Sequence, residues 1–211
     1  MSLNAPHSPN NLPKEYYDLY KKENSISEVQ KRFYGMITNI DDNFDRLLQK
    51  VEDLGISDNT IIVFTTDNGT AKGYAYAKNN HPAQGYNAGM RGIKGSEYDG
   101  GHRVPFMMRW SKAGLNSGKS LGQLIAHVDI LPTFMGLIGE QYHSAKTMDG
   151  MDVSAYLLNH EDKLPHRYLV TDTQRIRFPR KGKNSCVMDD HWRLINGKRV
   201  VLHPKRSWTK K

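Results

Sequence analysis

The sequence predicts an α/β fold, and three features carry that expectation: a long amphipathic helical stretch, a β-branched apolar run directly after it, and a glycine-rich loop after the run. After Pro6, Pro9 and Pro13, residues 14–22 and 27–54 read as helices. In the longer one Phe33, Ile37, Ile40, Phe44, Leu47, Leu48 and Val51 recur at three- and four-residue steps, and Gly55 stops the pattern. Thr60-Ile61-Ile62-Val63-Phe64-Thr65-Thr66 then reads as a strand buried on both faces, as in a parallel sheet covered by helices. Helix followed by buried strand is the grammar of an α/β domain.

The segment from Asp67 to about Glu97 holds six glycines and shows no periodicity, so it is expected to be a long loop, and loops of that length are usually functional. Val104 to Trp110 reads as a further strand. Ser120 to Gly139 reads as a short strand or turn feeding a helix around Pro132 to Ile138. Composition shifts near Gly150, after which residues 168–173, 186–189 and 192–195 look like short strands of a smaller antiparallel layer.

Composition sets outer limits. The 211 residues are 37% hydrophobic, enough for a genuine core, and the formal net charge is +8, from 30 Lys plus Arg against 22 Asp plus Glu. Much of that excess sits in residues 175–183 and 198–211. No recognised nucleic-acid module accompanies it, so no nucleic-acid partner is expected. No apolar window is long enough to span a membrane. The lone Cys186 excludes an internal disulfide framework and reads as a structural thiol.

Asp67-Asn68-Gly69 falls at the carboxy end of the predicted buried strand, where open α/β sheets place their ligands. A carboxylate beside a carboxamide offers hard oxygen donors suited to Ca²⁺ or Mg²⁺. By itself the tripeptide reads more readily as a turn. Residues 91–105, Arg-Gly-Ile-Lys-Gly-Ser-Glu-Tyr-Asp-Gly-Gly-His-Arg-Val-Pro, pack charges among glycines just ahead of a strand. Lys94, between Gly92 and Gly95, would present a compact ammonium charge to an anion. The bland alternative is a basic surface hairpin. Arg103 is expected to orient this loop through a carboxylate such as Asp99.

Thr65-Thr66-Asp67-Asn68-Gly69, then Lys94-Gly95, then Asp99-Gly100-Gly101-His102-Arg103-Val104-Pro105, resemble the sulfatase family in order and spacing. Residues 126–133 (Ala-His-Val-Asp-Ile-Leu-Pro-Thr) match a helix-entry segment typical of that family, and residues 4–9 (Asn-Ala-Pro-His-Ser-Pro) resemble its Ala-Pro-His-x-Pro segment. The resemblance runs from about residue 4 to about 198. It implies a partial alkaline-phosphatase-like sheet with flanking helices plus a small carboxy-terminal antiparallel layer. Residues 1–150 would be the distal part of the catalytic domain, 151–198 the small subdomain, and 199–211 a basic tail.

Carried over residue by residue, the resemblance makes Asp67 and Asn68 ligands of a divalent cation, Ca²⁺ in most of the family. It makes Lys94 and His7 contacts of the sulfate ester, which is expected to be a sulfated glycan, steroid or small aryl ester. Without the resemblance His7 reads as a solvated histidine near a terminus. Lys72, Lys78 and His81 are weak candidates for shaping specificity. The family's nucleophile is a formylglycine formed in a Cys/Ser-x-Pro-x-Arg segment, and no such segment occurs in these 211 residues.

The opening Met1-Ser2-Leu3 reads as an expression leader, and the chain is expected to be the carboxy-terminal portion of a longer enzyme, inactive alone; the resemblance is compatible with an exported parent, but the sequence itself gives no localisation. Strand edges and apolar faces exposed by truncation would favour self-association. After Lys198 the family usually continues Glu-Leu-Tyr and Asp-Pro-Gly. Here Arg199 to Lys211 departs from that pattern in the way a single-base frameshift would produce. Two alternatives remain open: a non-catalytic anion- or sugar-binding protein derived from a sulfatase, and a phosphodiesterase or phosphonate hydrolase of the same superfamily.

Overall fold

Pro13 opens the first helix, α1 (Lys14–Tyr20), where its missing N–H costs nothing. Lys14 pairs with Asp18 one turn on. Ser27 caps the long α2 (Glu28–Asp53): its Oγ accepts from the Gln30 N–H at 3.3 Å, while the Gln30 side chain accepts from the Ser27 N–H at 2.9 Å. This reciprocal capping box fixes the start that the sequence predicts. The structure, a computed structural model, describes residues 2–70, 87–115, 118–141, 143, 146–174 and 176–196, with 200–204 described by backbone alone.

The face of α2 that packs against α1 differs from the apolar stripe expected. Ile37 and Leu47 are exposed, whereas Gln30, Lys31, Gly35 and Met36 are buried. The reason is the tyrosine-rich character of α1. The Tyr20 hydroxyl pairs with Thr38 Oγ1 at 2.8 Å, and Tyr17 donates to Glu28 Oε2 at 2.7 Å. Lys31 Nζ donates to Glu28 Oε1 at 2.8 Å and to the Lys21 carbonyl at 3.2 Å. A polar seam with its bonds made can be buried as readily as an apolar one. Farther along α2, Phe44 meets Phe64 with ring centroids 5.5 Å apart.

A 3₁₀ turn at Ser57–Asn59 leads into β1 (Ile62–Thr65). The short α3 (Asp99–His102) precedes β2 (Phe106–Arg109), and β1 and β2 form a two-stranded sheet. Every residue of β1 is half-buried, where its apolar run implies full cover on both faces. Among the described residues β2 is its only sheet partner.

Further 3₁₀ turns at Ser111–Ala113 and His127–Asp129 precede α4 (Ile130–Ile138), which stops at Gly139, and then α5 (Ser154–Leu157). Asp129 is buried and ties this region together. Its carboxylate accepts from Ala126 N–H at 2.7 Å, Met151 N–H at 2.9 Å and Arg167 Nη1 at 2.8 Å.

The expected antiparallel layer is present as a four-stranded meander, β3 (Leu169–Asp172), β4 (Ser185–Met188), β5 (Trp192–Asn196) and β6 (Val200–Pro204), in that order. Leu169 faces Met188, and Met188 faces Arg193. Cys186, Met188 and Ile195 are buried, in keeping with a structural thiol at Cys186. The strand β6, which falls in the segment expected to be a basic tail, pairs with β5 from Trp192↔Pro204 to Asn196↔Val200. By spatial clustering the chain forms two compact units, Met1–Thr60 with Phe64–Met107, and Ile61–Val63 with Met108–Lys211.

Candidate functional site

Three of the site candidates, Asp67, Asn68 and Lys94, gather where β1 ends. Thr65 Oγ1 donates to the Pro105 carbonyl at 2.9 Å, and Thr66 Oγ1 to the Asn68 carbonyl at 3.1 Å, so both threonines pin the exit of the strand. Two main-chain bonds then lace this exit to the glycine-rich segment. Gly69 N–H donates to the Gly101 carbonyl at 2.9 Å, and Lys94 N–H donates to the Thr70 carbonyl at 2.7 Å. Asp67-Asn68 and Lys94 are therefore brought to one stretch of main chain despite their separation in sequence.

The glycines have a steric reason. A Cβ on Gly69 would overlap the Gly100 carbonyl oxygen, and one on Gly100 would overlap the Gly92 carbonyl oxygen. Within the segment, Gly100 N–H donates to the Arg91 carbonyl and Arg103 N–H to the Asp99 carbonyl, each at 2.8 Å. Gly92 and Gly95 have φ of +85° and +80°, which lets the chain turn on both sides of Ile93 and Lys94. Ile93 is buried and anchors that turn, while Lys94 beside it stays half-exposed.

A contact to which the sequence gives no clue stiffens the same turn: the Arg91 guanidinium lies 4.0 Å from the Tyr98 ring centroid. Irregular chain separates the two, so no periodic signal pairs them. The Thr70 and Ser96 hydroxyls are buried beside this lacing without a hydrogen-bond partner among the described residues.

Asp67 is exposed and Asn68 half-buried. Their oxygens fit a hard divalent cation in kind, but such an ion takes about six to eight oxygen ligands. Among the described residues no three His, Cys, Asp or Glu side chains form a metal-holding group. His7 is exposed, and its hydrogen bonds are local: its N–H donates to the Asn4 carbonyl at 2.9 Å and its Nδ1–H to the Ser8 carbonyl at 2.7 Å. Neither runs to Asp67, Asn68 or Lys94. Lys72, Lys78 and His81 lie outside the described residues.

Comparison with known proteins identifies the class to which this fold and motif set belong. The family model for sulfatases matches residues 1–140. The chain belongs to the sulfatase family. It is 31% identical over 170 residues to the uncharacterised sulfatase YdeN of Escherichia coli K12, covering 80% of this chain and 28% of that protein. It is 27% identical over 184 residues to the ulvan-active sulfatase of Formosa agariphila, covering 81% of this chain and 33% of the relative. The chain therefore spans about a third or less of these two relatives.

Among solved structures, Ps i-CgsB superposes with a TM-score of 0.75 at 25% identity, over 95% of this chain and 42% of that one. A second structure of it, in complex with k-i-k-neocarrahexaose, gives 0.72 at 26% identity, over 94% and 41%. The phosphonate monoester hydrolase of Agrobacterium radiobacter gives 0.56 at 20% identity, over 84% and 34%, a likeness of fold. The fold expected from sequence, part of an alkaline-phosphatase-like α/β domain, is the fold of these neighbours.

Proposed function

We propose that this chain is the distal part of a sulfuric ester hydrolase acting on a sulfated glycan, with the attacking group supplied by a segment outside these 211 residues. The observation that carries this reading is the pair of main-chain bonds, Gly69 to Gly101 and Lys94 to Thr70, joining the oxygen donors at the end of β1 to the lysine turn. Asp67 and Asn68 would hold a divalent cation, Ca²⁺ by family resemblance. When bound, that ion would draw charge from non-bridging sulfate oxygens.

Lys94 would donate charge-assisted hydrogen bonds to those oxygens as negative charge builds on them. His7 has its Nδ1–H committed to Ser8, so Nε2 is the nitrogen that would pass a proton to the leaving oxygen. No Cys/Ser-x-Pro-x-Arg segment occurs in the chain, so no turnover of a sulfate ester is expected from it alone. A glycan substrate is supported by the ulvan-active relative and the oligosaccharide-bound neighbour. Exposed apolar residues such as Leu19, Leu131 and Ile138 favour self-association of the isolated chain.

Sequencing the source gene on both sides of this segment tests the reading. The expected result is an in-frame Cys/Ser-x-Pro-x-Arg segment upstream and a family-type ending after Lys198 in a second frame. A genuine start codon at Met1, with residues 199–211 encoded in frame, would replace it with a sulfatase-derived binding protein.

A further inference from the structure

The second unit carries a cleft of about 430 Å³ lined by Gln123, Lys163, Leu164, His166, Asp190 and His191. It lies at the β4–β5 turn. That turn is built on Asp189, whose Oδ1 accepts from His191 N–H at 2.8 Å and Trp192 N–H at 2.6 Å. The opposite oxygen of Asp189 lies 3.9 Å from His166 Nε2, and the His166 ring stands edge-on to Tyr168 with centroids 5.0 Å apart at 87°.

Register places two aromatic rings beside this cleft. Leu169, Met188 and Arg193 form one cross-strand row, with Met188 and Arg193 buried. Side chains alternate along a strand, so the next row, Tyr168, Asp189 and Trp192, points to the other face. Tyr168 is 66% exposed and Trp192 49%, and Val170 and Leu194 continue the same exposed face.

The lining is chemically mixed. Lys163 and Gln123 donate, Asp190 accepts, and the imidazoles of His166 and His191 add ring nitrogens that hydrogen-bond. A site for a bare anion would exclude Asp190 and Asp189. Hydroxyl groups, which donate and accept at once, match this lining, and the C–H face of a sugar ring matches an exposed aromatic ring with its negative π-face. We infer that the cleft and the adjoining Tyr168 and Trp192 rings form a saccharide-binding surface, taking one hydroxyl-rich ring of a glycan chain. The inference concerns the second unit alone and does not rest on the sulfate-ester chemistry assigned to Lys94.

The test probes the full chain with an array of neutral and sulfated oligosaccharides. The most strongly retained oligosaccharide is then titrated by tryptophan fluorescence into wild type, Tyr168→Ala, Asp190→Ala and Lys94→Ala. Tyr168 and Asp190 are exposed, and circular dichroism checks that each variant is folded. The expected result is retention of at least one oligosaccharide and an affinity loss of about tenfold or more in both Tyr168→Ala and Asp190→Ala. No retention across the array, or a loss below about tenfold in either of those variants, overturns the inference. The Lys94→Ala arm separates the two sites: a loss there reports on the Lys94 turn, while the cleft stands or falls on the other two variants.

Discussion

Gly69 donates its backbone N–H to the carbonyl of Gly101 at 2.9 Å, and the approach is so close that a side chain at 69 would overlap the Gly100 carbonyl. The obstacle is main chain, which cannot swing aside. Gly69→Ala should therefore destabilise the protein by about 1–3 kcal/mol, the usual cost of overpacking. Urea unfolding would show a lower midpoint with an unchanged slope, and a midpoint equal to wild type would mean that the lacing is not as tight as described.

Asp129 is buried and takes three hydrogen bonds, one of them from Arg167. Removing the guanidinium leaves a buried carboxylate with only two backbone donors. Arg167→Ala should cost about 3–5 kcal/mol, as breaking a buried ion pair does. Thermal unfolding measures it. A loss no larger than an exposed ion pair gives, about 1 kcal/mol or less, would contradict the central role given to Asp129.

The Asp189 carboxyl is held below the ordinary aspartate value of 3.8, first by the backbone N–H of Trp192, then by that of His191, with His166 adding to the effect. Because the folded value is depressed, this carboxylate stabilises the turn fully above 3.8. The contribution fades as pH falls through the lower folded value. The His191 and Trp192 amide resonances should titrate with a midpoint below 3.8. A midpoint at or above the ordinary value would mean the turn is not built on this carboxylate.

Much of the frame is legible in the sequence because local signals are strong. The three- and four-residue recurrence from Phe33 to Val51 and the stop at Gly55 announce the long helix, and the β-branched run ending at Thr66 announces a strand. The packed face of α2 escapes such a reading because the Ile37 and Leu47 pattern ignores hydroxyl pairs such as Tyr20 with Thr38. The lacing of Gly69 to Gly101 is a non-local main-chain bond, for which spacing carries no signal. The Arg91 to Tyr98 contact spans irregular chain and is invisible for the same reason. Strand β6 is hidden because its basic surroundings read as tail, whereas its backbone pairs with β5.

On the proposed reading Asp67 and Asn68 supply two of the roughly six to eight oxygen ligands that calcium prefers and an upstream segment supplies others, so the metal response should split between two lengths of chain. Calcium should raise the unfolding temperature of a longer polypeptide that carries the proposed upstream segment, and leave the 211-residue chain nearly unchanged. Asp67→Ala should remove the rise in the longer polypeptide. Scanning calorimetry with and without chelator measures this, and a calcium response that survives Asp67→Ala would take that residue out of the metal shell.

The most direct measurement is turnover of 4-nitrophenyl sulfate by the chain alone, by the longer polypeptide, and by the longer polypeptide with Lys94→Ala. The expected result is no turnover from the chain alone and turnover from the longer form. Loss of the Lys94 ammonium should lower that rate by about 10²–10³, typical for one donor to a developing oxyanion. Turnover by the 211-residue chain alone, or a Lys94→Ala variant as fast as its parent, would contradict the role assigned to this chain and its lysine turn.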